Sequence, residues 1–241
     1  MPEYQVPNWI IFVDDAILVI NKPAGFLSIP DGYHPEYPHL RSILESTFGR
    51  LYIVHRLDKD TSGVMVLART PDAHRSLNLQ FDRRTTHKEY QALIHGSPVW
   101  DDLRVDSPLT VNGDRSHRTR VIPGKGKSAS TDFHVSLHWL EASLVTAIPH
   151  TGYTHQIRSH LSSIGYPILF DSLYTSPGLR DKAVAFYDSM GFSPDVFRPM
   201  LHAFRISFSH PSSGNDVDFT SPLPDDFQQV LSRLNKKRIG K

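Results

Sequence analysis

The sequence predicts an α+β fold with a mixed, mainly antiparallel central sheet and flanking helices. Three observations carry that reading. Strand-forming runs joined by tight turns fill much of the first 70 residues, and a second series of strand runs separated only by turns lies between 118 and 149. Segments of helical periodicity with their own start or stop signals are set between and after these strands.

Ile10 to Val13 and Ala16 to Ile20 flank Asp14-Asp15 and read as a β-hairpin, followed by a rigid turn at Asn21-Lys22-Pro23-Ala24-Gly25. His39 to Phe48 places Leu40, Ile43, Leu44 and Phe48 on one helical face and stops at Gly49. Leu51, Ile53 and Leu57 lead into Asp60-Thr61-Ser62-Gly63, and Val64 to Leu67 lead out, which predicts strand, tight loop, strand. Thr70-Pro71-Asp72 supplies a cap, a first-turn proline and an acid for a helix to about Phe81, and the strand formers of His87 to His95 follow.

Arg118 to Ile122, Thr131 to Trp139 and Ala142 to Pro149 predict antiparallel strands, with a loose loop at Pro123-Gly124-Lys125-Gly126-Lys127. Ile157, Leu161 and Ile164 share the face of a helix closed by Gly165. A short helix over Pro177 to Met190 precedes a strand from Leu201 to Phe208. A last helix starts at Pro222-Leu223-Pro224-Asp225 and turns Phe227, Val230, Leu231 and Leu234 inward.

With 241 residues, 39% hydrophobic and 21% charged, the chain is ordinary globular material, and we expect a single domain. The absence of cysteine excludes disulfides and thiolate metal sites and fits a reducing compartment. The longest early apolar run, Trp9 to Ile20, is cut by Asp14-Asp15, so neither a membrane span nor a signal peptide is expected, and the location expected is cytoplasmic. A formal charge of +1 says little about nucleic acid, because such binders carry their charge as a local stripe. One stripe is present: Arg115, Arg118, Arg120, Lys125 and Lys127, with His117, fall in a stretch free of acids. A second basic cluster, Arg233, Lys236, Lys237, Arg238 and Lys241, ends the chain.

The densest polar centre is His55-Arg56-Leu57-Asp58-Lys59-Asp60-Thr61-Ser62-Gly63, enclosed by apolar runs. A carboxylate where a strand enters a loop has a fixed backbone and a side chain facing a cleft, which suits a catalytic group. His55 and Arg56 can hold phosphate or orient Asp58, and Thr61 and Ser62 can bond the carboxylate or the loop. Taken alone, an Asp-x-Asp-x-Ser-Gly turn reads first as a hairpin with Asp58 as turn residue and Arg56 as its surface partner.

The full string His-Arg-Leu-Asp-x-x-Thr-Ser-Gly resembles the signature of the RluA-type family of RNA pseudouridine synthases. That resemblance implies the pseudouridine synthase catalytic fold, Asp58 as the catalytic residue, and Arg56 as the group that holds the target nucleotide out of its stack. Asn21-Lys22-Pro23-Ala24-Gly25 resembles an early family element whose Lys-Pro pair buttresses the site. Lys88-Glu89-Tyr90 resembles a Lys-x-Tyr element whose tyrosine lies against the target base, with Tyr90 a candidate for moving the C5 proton. Thr151-Gly152-Tyr153-Thr154-His155-Gln156-Ile157-Arg158 resembles Thr-Gly-Arg-Thr-His-Gln-Ile-Arg, which implies that Arg158 pairs with Asp58 and that Ile157 packs under the base. Two positions depart: Tyr153 stands for the usual Arg, and Phe170-Asp171 for a common Gly-Asp.

The resemblance covers nearly all of the chain and implies no N-terminal S4-like RNA-binding module. The substrate expected is tRNA or rRNA, bound with phosphate contacts from Arg118 and Arg120, and the protein is expected to be a monomer without a cofactor. Regular spacing of His150, His155 and His160 suggests a metal, but five residues advance a helix by roughly 140° beyond a full turn, so His155 and His160 diverge and no metal is expected. The carboxylate either adds covalently at C1′ of the ribose or takes a proton from C2′, and the sequence leaves both routes open. The alternatives are a glycoside hydrolase using Asp58, which needs a second carboxyl group with only Asp60 nearby, and a non-catalytic RNA-binding protein of the same fold.

Overall fold

A computed structural model describes residues 6–30, 37–111, 118–193 and 197–239, in two compact units. The first comprises Met1–Lys88 and Ala203–Pro222, the second Glu89–His202 and Leu223–Lys241. Among the described residues no helix is long and apolar enough to cross a membrane.

In the first unit β1 (Ile10–Val13) and β2 (Ile17–Lys22) form the expected hairpin. The Asp14 carboxylate fixes the turn by accepting the N–H groups of Ala16 and Ile17, both at 2.8 Å. α1 (Leu40–Phe48) packs Leu40 and Leu44 inward. β3 (Tyr52–Ile53) and β2 both pair with β4 (Ser62–Ala68), which is buried along its whole length. α2 (Pro71–Asp82) begins under the Thr70 hydroxyl, which accepts the Ala73 N–H at 3.1 Å. Gly63 lies where β4 meets the chain at Ala203, and a Cβ there would fall 2.1 Å from the Ala203 carbonyl oxygen, so only glycine permits this approach.

The second unit contains the rest of β5 (His87–His95), a strand that starts at the end of the first unit. β6 (Asp102–Asp106) pairs with β9 (Ser130–His138), β9 with β10 (Ala142–Pro149), and β10 with β5, all antiparallel. β7 (Leu109–Thr110) and β8 (Arg120–Val121) make a separate ribbon. α3 (Gln156–Ser163), α4 (Pro177–Ser189) and α5 (Asp225–Ile239) pack Leu161, Phe186, Phe227 and Val230 into a core with Leu93, Phe133 and Val145. β11 (Leu201–Ser209) runs on into the first unit, where β12 (Asp216–Thr220) pairs with it.

Several expectations change. The strand read before the central loop ends at Ile53, so Asp58 stands in irregular chain rather than at the end of a core strand. Arg118 to Ile122 yields only the two-residue β8. The loop at 123–127 is not loose: Lys127 exchanges both main-chain bonds with Leu109 at 2.9 Å, and Lys125 N–H bonds the Ile122 carbonyl at 3.0 Å. β6 and β12 were not foreseen, because alternate charged residues in Asp-Leu-Arg-Val-Asp and Asp-Val-Asp-Phe-Thr hide an edge strand from a search for apolar runs. The helix expected over Pro177 to Met190 is present as Pro177–Ser189.

Phe170 adopts φ +60°, the left-handed region that favours glycine. Its N–H donates to the Tyr187 hydroxyl at 2.7 Å, and its ring stacks on Tyr187 at 4.0 Å and on Phe197 at 4.9 Å. His95 Nε2 meets the same hydroxyl at 2.7 Å, and burial lowers the His95 pKa to about 4 while raising that of Tyr187. Aromatic packing from α4 thus offsets a backbone cost. Phe170→Gly relieves roughly 1 kcal/mol of backbone strain but loses about 3–5 kcal/mol of ring packing, for a net loss of about 2–4 kcal/mol in urea unfolding. Phe170→Ala keeps the strain and is expected to be about 1 kcal/mol less stable than Phe170→Gly; equal stabilities would show that the backbone cost is negligible.

Candidate active site

The loop carrying Asp58 is fixed through its main chain. The Leu57 N–H donates to Ser28 Oγ at 3.2 Å and the Leu57 carbonyl accepts the Ser28 hydroxyl at 2.8 Å. The Asp58 carbonyl accepts the Thr61 N–H at 3.1 Å, closing a turn, and the Lys59 carbonyl accepts the Gly25 N–H at 2.9 Å. Beneath the turn lies Lys22, placed by the β2–β4 pairing opposite Gly63 and fully buried. Its ammonium donates to the carbonyls of Pro23 (3.0 Å), Lys59 (3.0 Å) and Thr61 (2.8 Å). The buttress implied for Lys22 therefore has a physical form, a buried cation bonded to the loop from below.

Around this turn Thr61 and Ser62 are buried, Asp58 is half-buried, and Arg56 and Asp60 are exposed. His55 is half-buried and stacks on Phe81 at 4.8 Å with ring planes 22° apart. Its Nε2 accepts the Val66 N–H at 3.0 Å, so that nitrogen carries no proton and the ring is neutral. Burial, with the nearby Lys88 charge, lowers its pKa to about 3. His55 therefore ties β4 to α2 and orients the chain entering Arg56.

In the second unit α3 begins after His155, itself at φ +54°. Gln156 is buried and bridges the strands to the helix. Its Oε1 accepts the Thr151 hydroxyl at 2.7 Å and the Tyr153 N–H at 3.2 Å, and its Nε2 donates to the Ser130 carbonyl and to Thr131 Oγ1, both at 3.0 Å. Ile157 and Arg158 follow, both buried. The Arg158 guanidinium forks onto Asp171, Nε to Oδ2 at 2.7 Å and Nη2 to Oδ1 at 2.9 Å, and its carbon centre lies 5.0 Å from the Tyr174 ring centroid.

The sequence reading gave Arg158 to Asp58; within its own unit the bidentate carboxylate is Asp171. In the sequence that residue stands out only as part of the Phe170-Asp171 departure. Tyr174 gives no sign of its role in the sequence, since a turn tyrosine leaves no periodic signal. Its hydroxyl accepts the Thr119 N–H and donates to the Thr119 carbonyl, each at 3.0 Å, and meets His155 Nδ1 at 3.1 Å. Arg118, half-buried, donates from Nη1 to the Leu173 carbonyl at 3.2 Å, whereas Arg120 is exposed on β8. Tyr90 is half-buried on β5 opposite Ala147 and packs against the core.

His155 and His160 face different partners, Tyr174 for the first and Thr131 with the Ser107 carbonyl for the second, while His150 pairs with Asp132 at 2.7 Å. Arg115 and His117 of the basic stripe, and the side chains of Lys237, Arg238 and Lys241, lie outside the described residues.

A histidine whose folded pKa lies below its unfolded value takes up a proton on unfolding. Its stabilising contribution is complete above about pH 6.5 and is lost as pH falls towards about 3. His55→Gln keeps an acceptor for the Val66 N–H and cannot be protonated. It is expected to reduce the fall in urea-unfolding stability between about pH 7 and pH 4, the part due to His95 remaining; an unaltered slope would show that His55 is not held neutral.

Residues 16–163 match the family model described as RNA pseudouridylate synthase. The chain is 36% identical over 241 residues to ribosomal large subunit pseudouridine synthase D of Zymomonas mobilis, covering 95% of this chain and 74% of that protein. It is 34% identical over 227 residues to the dual-specificity RNA pseudouridine synthase RluA of Escherichia coli, covering 92% of this chain and 98% of that protein. Among solved structures, human RNA pseudouridylate synthase domain containing 4 is 26% identical with a TM-score of 0.76, over 95% of this chain and 94% of that one. Human RNA pseudouridylate synthase domain containing 1 is 25% identical with a TM-score of 0.72, over 98% of both. The chain therefore belongs to the RluA-type family of RNA pseudouridine synthases, isomerases that act on RNA.

Proposed function

We propose that Asp58 performs the isomerisation of uridine to pseudouridine in this chain. The observation that supports this is the half-buried carboxylate on a turn whose main chain is bonded at Leu57, Asp58, Lys59 and Thr61. Detaching uracil from C1′ leaves an oxocarbenium-like centre that must be met before water reaches it. A carboxylate aimed in advance does this with no reorganisation, either by bonding to C1′ or by taking the C2′ proton. The detached base then turns and rejoins through C5, whose proton must leave; Tyr90 is the proposed carrier.

Arg158, fixed by Asp171, is the proposed cation that keeps the reacting carboxylate ionised, and Ile157 the apolar seat of the base. Arg56, exposed beside the turn, is the proposed group that fills the space left when the target nucleotide is extruded, with His55 and Thr61 holding its surroundings. Extrusion costs a few kcal/mol, and phosphate contacts from Arg118 and Arg120 offset it. The substrate we propose is rRNA or tRNA, turned over in the cytoplasm by a monomer with a single catalytic domain.

Asp58→Asn is expected to abolish tritium release from RNA labelled at uridine C5 while shifting the melting temperature by only a few degrees; substantial residual turnover would overturn the role of Asp58. Arg120→Ala should lower the slope of log binding constant against log salt by about one unit and weaken all RNAs alike. Arg118→Ala should in addition lose some stability, since its guanidinium also braces Leu173. An unchanged slope in the double variant would place the RNA on another face.

A further inference from the structure

We infer that Lys127 and Tyr153 form a seat for one unpaired nucleotide of the RNA, its base against the tyrosine ring and its phosphate against the lysine ammonium. Lys127 Nζ lies over the Tyr153 ring, 5.8 Å from its centroid. Lys127 is exposed and Tyr153 half-buried, so both retain surface for a ligand. An aromatic face beside a cation is the pairing by which single strands are held without regard to sequence. Every base offers a π-face, and every nucleotide a phosphate next to it.

The main chains of both residues are fixed before any ligand arrives. Lys127 is stitched to Leu109 by two main-chain bonds of 2.9 Å. A Cβ on Gly126 would fall 2.5 Å from the Leu109 main chain, so the two segments are in close contact at that point. Tyr153 donates its N–H to Gln156 Oε1 at 3.2 Å and accepts the Gln156 N–H on its carbonyl at 3.1 Å. Gln156 is buried and bonded at both ends of its amide. A seat whose main chain is held in this way loses little loop freedom on binding, which removes one of the costs of association. The residues from Arg118 to Lys127 that the structure describes include Arg120 and Lys125 and no acid, so nothing there repels a phosphate.

A paired helix stacks its bases on one another and offers the ring no face, so the seat discriminates unpaired from paired RNA. Where the motif that this stretch resembles has Arg, this chain has a stacking surface at Tyr153, with the charge supplied from Lys127. The inference rests on the reading of the chain as an enzyme of RNA, and it concerns a nucleotide other than the one that reacts.

The test uses the full chain carrying Asp58→Asn, so that no RNA is consumed, with two fluorescent probes: an RNA hairpin with a uridine loop and a blunt RNA duplex. Adding Tyr153→Leu is expected to weaken hairpin binding about tenfold and to leave the duplex within about twofold. Tyr153→Trp should keep hairpin binding near its starting value, which a purely structural role for the tyrosine would not predict. Lys127→Gln should weaken both probes and lower the salt slope by about one unit. Equal loss on both probes with Tyr153→Leu, or no loss on the hairpin, would overturn the seat. Tritium release by the unsubstituted chain reports separately on the enzymatic reading: its absence would remove that reading whatever the binding data showed, and its presence with unaltered hairpin binding in Tyr153→Leu would remove only the seat.

Discussion

An ammonium group withdrawn from water must regain its lost hydration inside the protein, at a cost of several kcal/mol if it does not. Lys22 regains it from three carbonyls, two of them in the turn that carries Asp58. The arrangement binds in both directions: the carbonyls solvate the charge, and the charge holds the carbonyls pointing down, which sets where the rest of the turn must go. Gly63, opposite Lys22 in the β2–β4 pairing, permits the close approach at Ala203 just after the turn. Ser28 and Gly25 then hold the main chain on either side of Asp58. The backbone of Asp58 is thus positioned by main-chain bonds on both sides of it.

The second unit uses a different device. Here side chains rather than backbone carry the order: Gln156 ties the strand end to α3, Asp171 fixes Arg158 by a two-point fork, and Tyr174 joins Thr119, His155 and the Arg158 guanidinium. The fork matters because a planar guanidinium held at two points has one orientation, whereas a lysine in its place would keep its charge and lose its aim. Tyr174 carries the effect further, since the basic segment beginning at Arg118 is bonded to the same ring system that packs against Arg158.

Much of this was legible in the sequence, and what was not has a common cause. α1, α2, β5, β10 and β11 announce themselves by apolar period, caps and glycine stops, and their bounds lie close to those read from the chain. The string from His55 to Gly63 pointed to a family that the comparisons bear out. Asp171 and Tyr174 were invisible as partners because their importance lies in contacts made across 13 and 55 residues, which no local pattern encodes. The turn at 123–127 misled for the opposite reason: glycines that read as looseness include one that allows close packing on Leu109. His55 was read as a polar site residue, yet its acceptor bond and ring stack make it a neutral strut.

The left-handed backbone at Phe170 also couples positions far apart in the chain. A glycine at 170 would be conformationally free and would ask nothing of its surroundings. Phenylalanine makes the position depend on rings from α4 and from the segment after it, Tyr187, Phe192 and Phe197. Removing any one of these rings leaves the backbone cost in place and takes away part of the packing that offsets it. The tolerance of α4 to substitution is therefore set partly outside it, by one residue in the turn that carries Asp171.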